Sequence, residues 1–299
     1  MKRGHWQILL AAVLFLLALG LTLYPVVSNW YIGRHQSRIQ TEYREVLEQT
    51  DSAEIESIRE SAVAYNKTIT PGAAEEAYSQ ASIRLAAEDY VNQLNVSGSG
   101  IMGYVEIPKI GVDLPIYHGT GADSLDRGTG HLLGSSLPVG GESTHTIITG
   151  HSGMASQKMF TDLEQLREGD IFYLHVLDET LTYEVREIHT VLPHDTTYLG
   201  IEPGEDLCTL VTCTPTGVNT HRLLVHGSRI PYVPTEETEA SAVLHEENTD
   251  SNWEKQYWLG VRLGLAAMVF LTLVAGAVLY IRRNRGRAVH RKGGRYVRK

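Results

Sequence analysis

Hydrophobic and polar positions follow three different rhythms along the 299 residues. From Ile8 to Val27, and again from Leu263 to Ile281, no charged side chain occurs. Wound as a helix, either stretch is long enough to cross roughly 30 Å of hydrocarbon. After the first, Ile39, Tyr43, Val46 and Leu47, then Ile55, Ile58, Ala62 and Tyr65, recur at helical spacing among charged residues and predict one or two amphipathic helices. Thr70-Pro71-Gly72 interrupts them, and Ala73 to Leu94 resumes a helix-favouring composition until Gly98-Ser99-Gly100 ends it. The rhythm then shortens. Gly103–Ile107, Thr144–Thr149, Ile171–Val176, Leu181–Val185, Leu207–Thr212 and His221–His226 are short, rich in β-branched and aromatic residues, and separated by Gly, Pro, Asp or Asn. These predict strands of a compact barrel or sandwich, with one short helix at Met159–Leu166 and a turn at Arg167-Glu168-Gly169-Asp170.

Charge divides the chain in the same places. Residues 282–299 carry nine Lys/Arg and no acid, and Lys2 and Arg3 precede the first apolar stretch, which leaves 15 bases against all 35 acids in between. Positive charge outside both stretches predicts two membrane spans, both termini in the cytoplasm and an extracellular middle. Lys2/Arg3 with the small residues Ala18-Leu19-Gly20 also fit a cleaved secretory signal, and the second span would tether the chain either way. The basic tail suits a stop-transfer segment against anionic lipid rather than a nucleic-acid site. Pro234–Asp250, mostly Glu, Thr and Ser, reads as a solvated linker. The expected divisions are a cytoplasmic end 1–7, a span 8–27, an extracellular helical segment 28–100, a β-barrel 101–233, an acidic linker 234–257, a span 258–281 and a cytoplasmic tail 282–299.

Cys208 and Cys213 are the only cysteines. Five residues apart in one strand-like run, they lie beyond disulfide reach, so at least one thiol is free. Cys213 closes Leu207–Thr212 and precedes Thr214-Pro215-Thr216-Gly217, a strand end that exposes its sulfur. A hairpin over Thr214–Thr220 brings Arg222 back beside it, where a guanidinium can hold a substrate carbonyl or oxyanion; an ordinary surface charge is the plainer reading of Arg222 alone. His151 opens a loop at the end of Thr144–Gly150, a place suited to a general acid or base, although any one of thirteen histidines is more often structural. Gly150-His151-Ser152-Gly153-Met154 lacks the last glycine of a serine-hydrolase elbow. No metal motif of recognised spacing occurs.

Thr209-Leu210-Val211-Thr212-Cys213 with Arg222 nine residues on, and Thr149-Gly150-His151, resemble the active-site signature of the sortases. Gly100–Ile110, Pro115-Ile116-Tyr117-His118-Gly119-Thr120, Gly130-His131-Leu132, Ser136–Gly141, Phe160-Thr161-Asp162-Leu163 and Asn219–Val225 resemble class C, the pilin-polymerising sortases. The likeness covers roughly residues 60–230. It implies a mainly β fold, a closed eight-stranded barrel with short helices, an N-terminal helical segment and two flanking transmembrane helices. It also implies a cysteine transpeptidase without cofactor or metal. In that scheme Cys213 is the nucleophile, His151 the general acid/base and Arg222 the stabiliser of substrate and oxyanion, with Thr212, Thr214 and Asn219 as substrate contacts. The substrates implied are pilins or surface proteins with a C-terminal LPXTG-like sorting signal, cleaved between Thr and Gly and transferred to a pilin lysine. A sortase that anchors surface proteins to cell-wall peptidoglycan is the alternative with the same three residues.

In class C the N-terminal segment commonly carries an Asp-Pro-aromatic plug, whereas here Ile69-Thr70-Pro71-Gly72-Ala73 has neither the acid nor the ring. The expectation is an open or loosely covered site, with Tyr78 as a weaker plug. A papain-like enzyme is disfavoured because His151 precedes Cys213 in the chain. An extracellular sensor between two spans would need a partner, because the tail of eighteen residues holds no signalling domain.

Overall fold

The computed structural model describes residues 39–69, 72–74, 88–154, 157–232 and 252–293, with a few positions between 12 and 24. The chain divides into two units, residues 29–253 and the two ends together. The first unit contains a closed barrel of β1 (Ile101–Ile107), β2 (Val112–His118), β3 (Thr129–His131), β4 (Thr144–Thr149), β5 (Ile171–Val176), β6 (Glu179–Val191), β7 (Asp206–Thr214) and β8 (His221–Ile230). The strands follow each other around it as β1-β2-β3-β4-β7-β8-β6-β5. The pairs β2–β3 and β4–β7 are parallel and the others antiparallel.

Strand alternation sends Val105, Ile107, Ile148, Phe172, Leu174, Tyr183, Val185, Cys208, Leu210 and Val225 into one interior core. Phe172 and Tyr183 stack there with centroids 5.5 Å apart. Gly227 makes room for them, because a Cβ at that position would lie 2.6 Å from the Phe172 ring. On β6 the register shifts between Val185 and Glu187. The bulge reverses the alternation, so Ile188 packs towards the interior core and Val191 joins a separate outer cluster. It thereby re-aims the second half of β6 onto the face used by the candidate site.

Residues 39–49 and α1 (Ser52–Asn66) are helical, as the spacing predicts. Asp51 caps α1 by accepting from the Ala53 amide at 2.8 Å. At its far end Asn66 holds Leu137 by both amide groups, at 2.7 and 3.2 Å. The predicted helix Ala73–Leu94 is helical at 73–74 and in α2 (Glu88–Val91), and its middle lies outside the described residues. A one-turn helix, α3 (Ala122–Leu125), follows β2. Met159–Leu166 is not a regular helix. Met159 has φ +44°, outside the helical range, and only Leu163–Gln165 forms a 3₁₀ turn.

The chain from Asn252 to Gly293 forms one helix, α4 (Asn252–Gly293). Within α4, Trp258–Val278 is long and apolar enough to cross a membrane, with mean hydropathy 2.1. The expected first span, 8–27, lies largely outside the described residues, and among the described residues Trp258–Val278 is the one spanning candidate.

Two buried histidines give the barrel a definite response to acid. The His131 Nε2–H donates to the Ser136 carbonyl at 2.8 Å, and Tyr90 donates to Nδ1 at 2.9 Å. Burial pushes His131 down to about 4 and His226 down to about 3. Both are neutral when folded, while in the unfolded chain they take up a proton near pH 6.5. Below that pH the unfolded state binds more protons, so stability is full above about 6.5 and falls towards 4. Unfolding free energies from urea titrations at pH 7.5 and 4.5 are expected to differ by roughly 2–3 kcal/mol for each histidine. A Tyr90→Phe variant strips His131 of one buried partner and should lose a further ~1–3 kcal/mol at both pH values.

Candidate active site

The parallel pair β4–β7 brings two strand ends to the same rim. Its last register pair is Thr149–Val211, and the Gly150 amide donates to the Val211 carbonyl at 3.0 Å. Two residues beyond that pair come His151 on one strand and Cys213 on the other. Two side chains latch these ends together. The Thr212 hydroxyl donates to the Gly150 carbonyl at 2.8 Å, and the Ser152 hydroxyl to the Cys213 carbonyl at 2.6 Å. Behind them the Phe160 ring presses on Gly150, where a Cβ would lie 2.7 Å from it, and the Phe160 amide donates to the His151 carbonyl at 3.0 Å. His151 is partly exposed, with Asp126 Oδ1 3.7 Å from its Nε2. Gln157 donates to the Asp126 carbonyl at 3.0 Å and ties the two loops.

The antiparallel pair β7–β8 sets Arg222 directly opposite Cys213, as the hairpin reading predicts. Directly opposed residues have Cβ atoms about 4.5–5.5 Å apart. Arg222 Nη1 donates to the carbonyls of His221 and Asn219, at 3.1 and 3.4 Å. Its other guanidinium nitrogens hydrogen-bond to no described residue and stay available to an incoming oxygen. Asn219 is exposed at φ +60°, and its amide, like that of Val218, donates to the Pro215 carbonyl at 2.9 Å. Asn is among the few residues that take this left-handed conformation readily. It shapes the turn whose carbonyl holds Arg222.

Thr212 and Thr214 are each one residue from Cys213, and strand alternation turns them to the opposite face. They are 2% and 7% exposed, with their hydroxyls committed to Gly150 and, at 2.7 Å, to Glu164. Glu164 and Asp126, which the sequence analysis does not name, and Ser152 and Phe160, which it gives no role at the site, brace it together with these two threonines. Cys208 is buried and free, and burial followed by the Asp206 charge pushes its thiol well up, so it is inert. Cys213, free and partly exposed, is the accessible sulfur. Losing a latch loosens the alignment of His151 with Cys213. Ser152→Ala and Thr212→Val are each expected to lower the rate of Cys213 acylation about three- to tenfold, read by stopped-time mass spectrometry of the intact protein.

An apolar strip leads away from Cys213 along the same outer face. Val211, Leu224, Val191, Ile147, Leu132 and Leu199 form it, and Ala74 is buried among them at 6% exposure. Ala73 comes so close that a Cβ on Gly134 would lie 2.6 Å from its carbonyl oxygen. Residues 73–74 thus cover this strip, where the sequence predicts an open or loosely covered site. Tyr78 lies outside the described residues. Among the described residues no group of His, Cys, Asp and Glu is arranged to hold a metal ion.

The sortase-domain profile matches residues 105–230, which contain all three rim residues. Among curated proteins, sortase A of Streptococcus agalactiae is 26% identical over 222 residues, 73% of this chain and 82% of that protein. Sortase D of Bacillus subtilis is 31% identical over 131 residues, covering 43% of this chain and 63% of that protein. Among solved structures, sortase C of Streptococcus pneumoniae is 44% identical, covers 66% of this chain and 99% of its own, and has a TM-score of 0.61. Sortase C-1 of Actinomyces oris is also 44% identical, over 60% of this chain and 99% of its own, with a TM-score of 0.56. A barrel with a reachable cysteine facing an arginine, and this likeness along nearly the whole length of two sortase C structures, place the chain in the sortase family of cysteine transpeptidases.

Proposed function

We propose that this sortase cleaves an LPXTG-like sorting signal between Thr and Gly and transfers the new acyl end to a lysine amine of another pilin, building a covalent pilus. The observation that carries the reading is Cys213 paired across β7–β8 with Arg222, at the end of an apolar strip that residues 73–74 cover. The 44% identity to solved sortases C supports the pilin class.

In the first step the Cys213 thiolate attacks the threonine carbonyl, and Arg222 donates to the oxygen as negative charge develops there. The C–N bond to glycine breaks, and His151 gives its proton to the departing amine. The threonine is left as a thioester on Cys213. In the second step a lysine amine attacks that thioester and passes a proton to His151, and the thiolate leaves as the isopeptide bond forms. Thr212, Ser152, Thr214 and Glu164 hold the geometry, while Asn219 fixes the turn that presents Arg222. The groove takes the apolar residues of the signal once residues 73–74 give way. The catalytic unit lies outside the cell, held by spans at 8–27 and 258–281 with both termini in the cytoplasm.

Incubation of the full chain in detergent with a shaft pilin bearing its sorting signal should give a ladder that survives boiling in dodecyl sulfate. A single adduct with a peptidoglycan amine, and no ladder, would show a wall-anchoring sortase instead.

A further inference from the structure

Thr209, Val211 and Cys213 alternate onto the outer face of β7, and His226, Leu224 and Arg222 lie opposite them on β8. The apolar strip therefore ends, four residues from Cys213, in a polar layer. His145 Nδ1 lies 2.7 Å from the Gly200 carbonyl, and its Nε2 lies 2.6 Å from Thr209 Oγ1. Thr209 Oγ1 in turn lies 2.7 Å from His226 Nδ1. A carbonyl can only accept, so Nδ1 of His145 carries a hydrogen. Thr209 Oγ1 bridges Nε2 of His145 and Nδ1 of His226. The three groups form one chain that ends on the backbone of the segment 192–205. His226, held neutral by its burial, is 3% exposed, and its Nε2 has no hydrogen-bond partner among the described residues.

The same segment is gripped a second time two residues earlier. Tyr198 stacks on His189 with centroids 3.8 Å apart, and Glu187 holds the His189 ring at 3.0 Å. Leu199, between the two grips, is 1% exposed and packs with Val211, Leu224 and Val191. Nothing in the chemistry at Cys213 requires these histidines, yet they fix the one residue of the segment that walls the groove.

We infer that Thr209, His145 and His226 form a positioning layer that holds Leu199 as the wall of the groove and so sets how tightly the sorting signal binds, without acting on the bond-making step. The inference rests on the groove being the peptide site.

The test uses the full chain in detergent with a fluorogenic sorting-signal peptide. Thr209→Val keeps the side-chain shape and removes both hydrogen bonds, whereas Thr209→Ser keeps the hydroxyl. The valine variant should raise KM about tenfold, the equivalent of one lost buried hydrogen bond, with kcat within about twofold. The rate of Cys213 alkylation by iodoacetamide should be unchanged, and amide exchange at Leu199 and Gly200 should speed up. The serine variant should restore all of these. Tyr198→Ala, made on the surface side of the second grip, should raise KM in the same sense and guards against a Thr209→Val chain that fails to fold. Unchanged exchange in Thr209→Val would show that the layer does not hold the segment. Faster exchange with unchanged KM would show that Leu199 does not wall the peptide site, and a fall in kcat with slower alkylation would mean that the layer supports Cys213 itself. Either of these also overturns the inference. If the unsubstituted chain turned over no sorting-signal peptide, the functional reading would fall, and the exchange comparison alone would decide whether the layer holds the segment.

Discussion

Cys213→Ala is expected to remove all transpeptidation, a loss of at least about a thousandfold, while leaving the barrel intact. The side chain is partly exposed at the end of β7, so its removal opens no interior cavity and should cost little stability. The other cysteine cannot substitute. Cys208 lies inside the barrel core with its thiol pushed well up, and the five-residue separation places the two sulfurs on opposite faces of the strand. The measurement is pilin ladder formation beside a thermal melt. Unchanged melting with no ladder is the expected pair of results, and Cys208→Ala should retain activity.

Arg222 carries the second large effect. It faces Cys213 across the hairpin, its Nη1 is steadied by the carbonyls of Asn219 and His221, and its other nitrogens hydrogen-bond to no described residue. Removing a donor from an oxyanion changes kcat by about a hundred- to a thousandfold. Arg222→Ala should fall in that range. Arg222→Lys should recover little of it, because an ammonium on a flexible stem cannot contact two carbonyls and an oxyanion from one rigid plane. If Arg222 were only a surface charge, both variants would keep nearly full kcat and lose only salt-sensitive binding. Steady-state kinetics with the sorting-signal peptide at two ionic strengths separates these outcomes.

Much of the barrel is legible in the sequence because six strands carry β-branched runs between breakers. β2 and β3 are not. Pro115 interrupts β2, and β3 is three residues long, Thr129-Gly130-His131, with no alternation to detect. Barrel closure depends on pairings between distant segments, such as β1 with β5 and β6 with β8, which local pattern does not encode. The bulge in β6 is invisible for the same reason, although it decides that Val191 faces the groove.

At the site, the strand end exposes Cys213 and the hairpin sets Arg222 opposite it, whereas the roles of Arg222 and His151 are reached through family likeness. Thr212 and Thr214, expected as substrate contacts, lie on the face of β7 opposite Cys213, with their hydroxyls bracing the rim. Ser152, Asp126 and Glu164 come from loops whose approach to Cys213 or His151 no local spacing reveals. Ala74 lacks any marker of its own, since a small residue acquires meaning only from the groove that it fills.

The most direct test of the central claim is the covalent intermediate. Full-length protein in detergent, mixed with a sorting-signal peptide without an acceptor amine and quenched in acid, should gain the mass of the peptide cut after threonine. Tandem mass spectrometry should place that mass on Cys213, and addition of a lysine-bearing pilin should discharge it into an isopeptide product. Cleavage of the peptide that persists in Cys213→Ala, or an acyl group found on any other residue, would contradict the account.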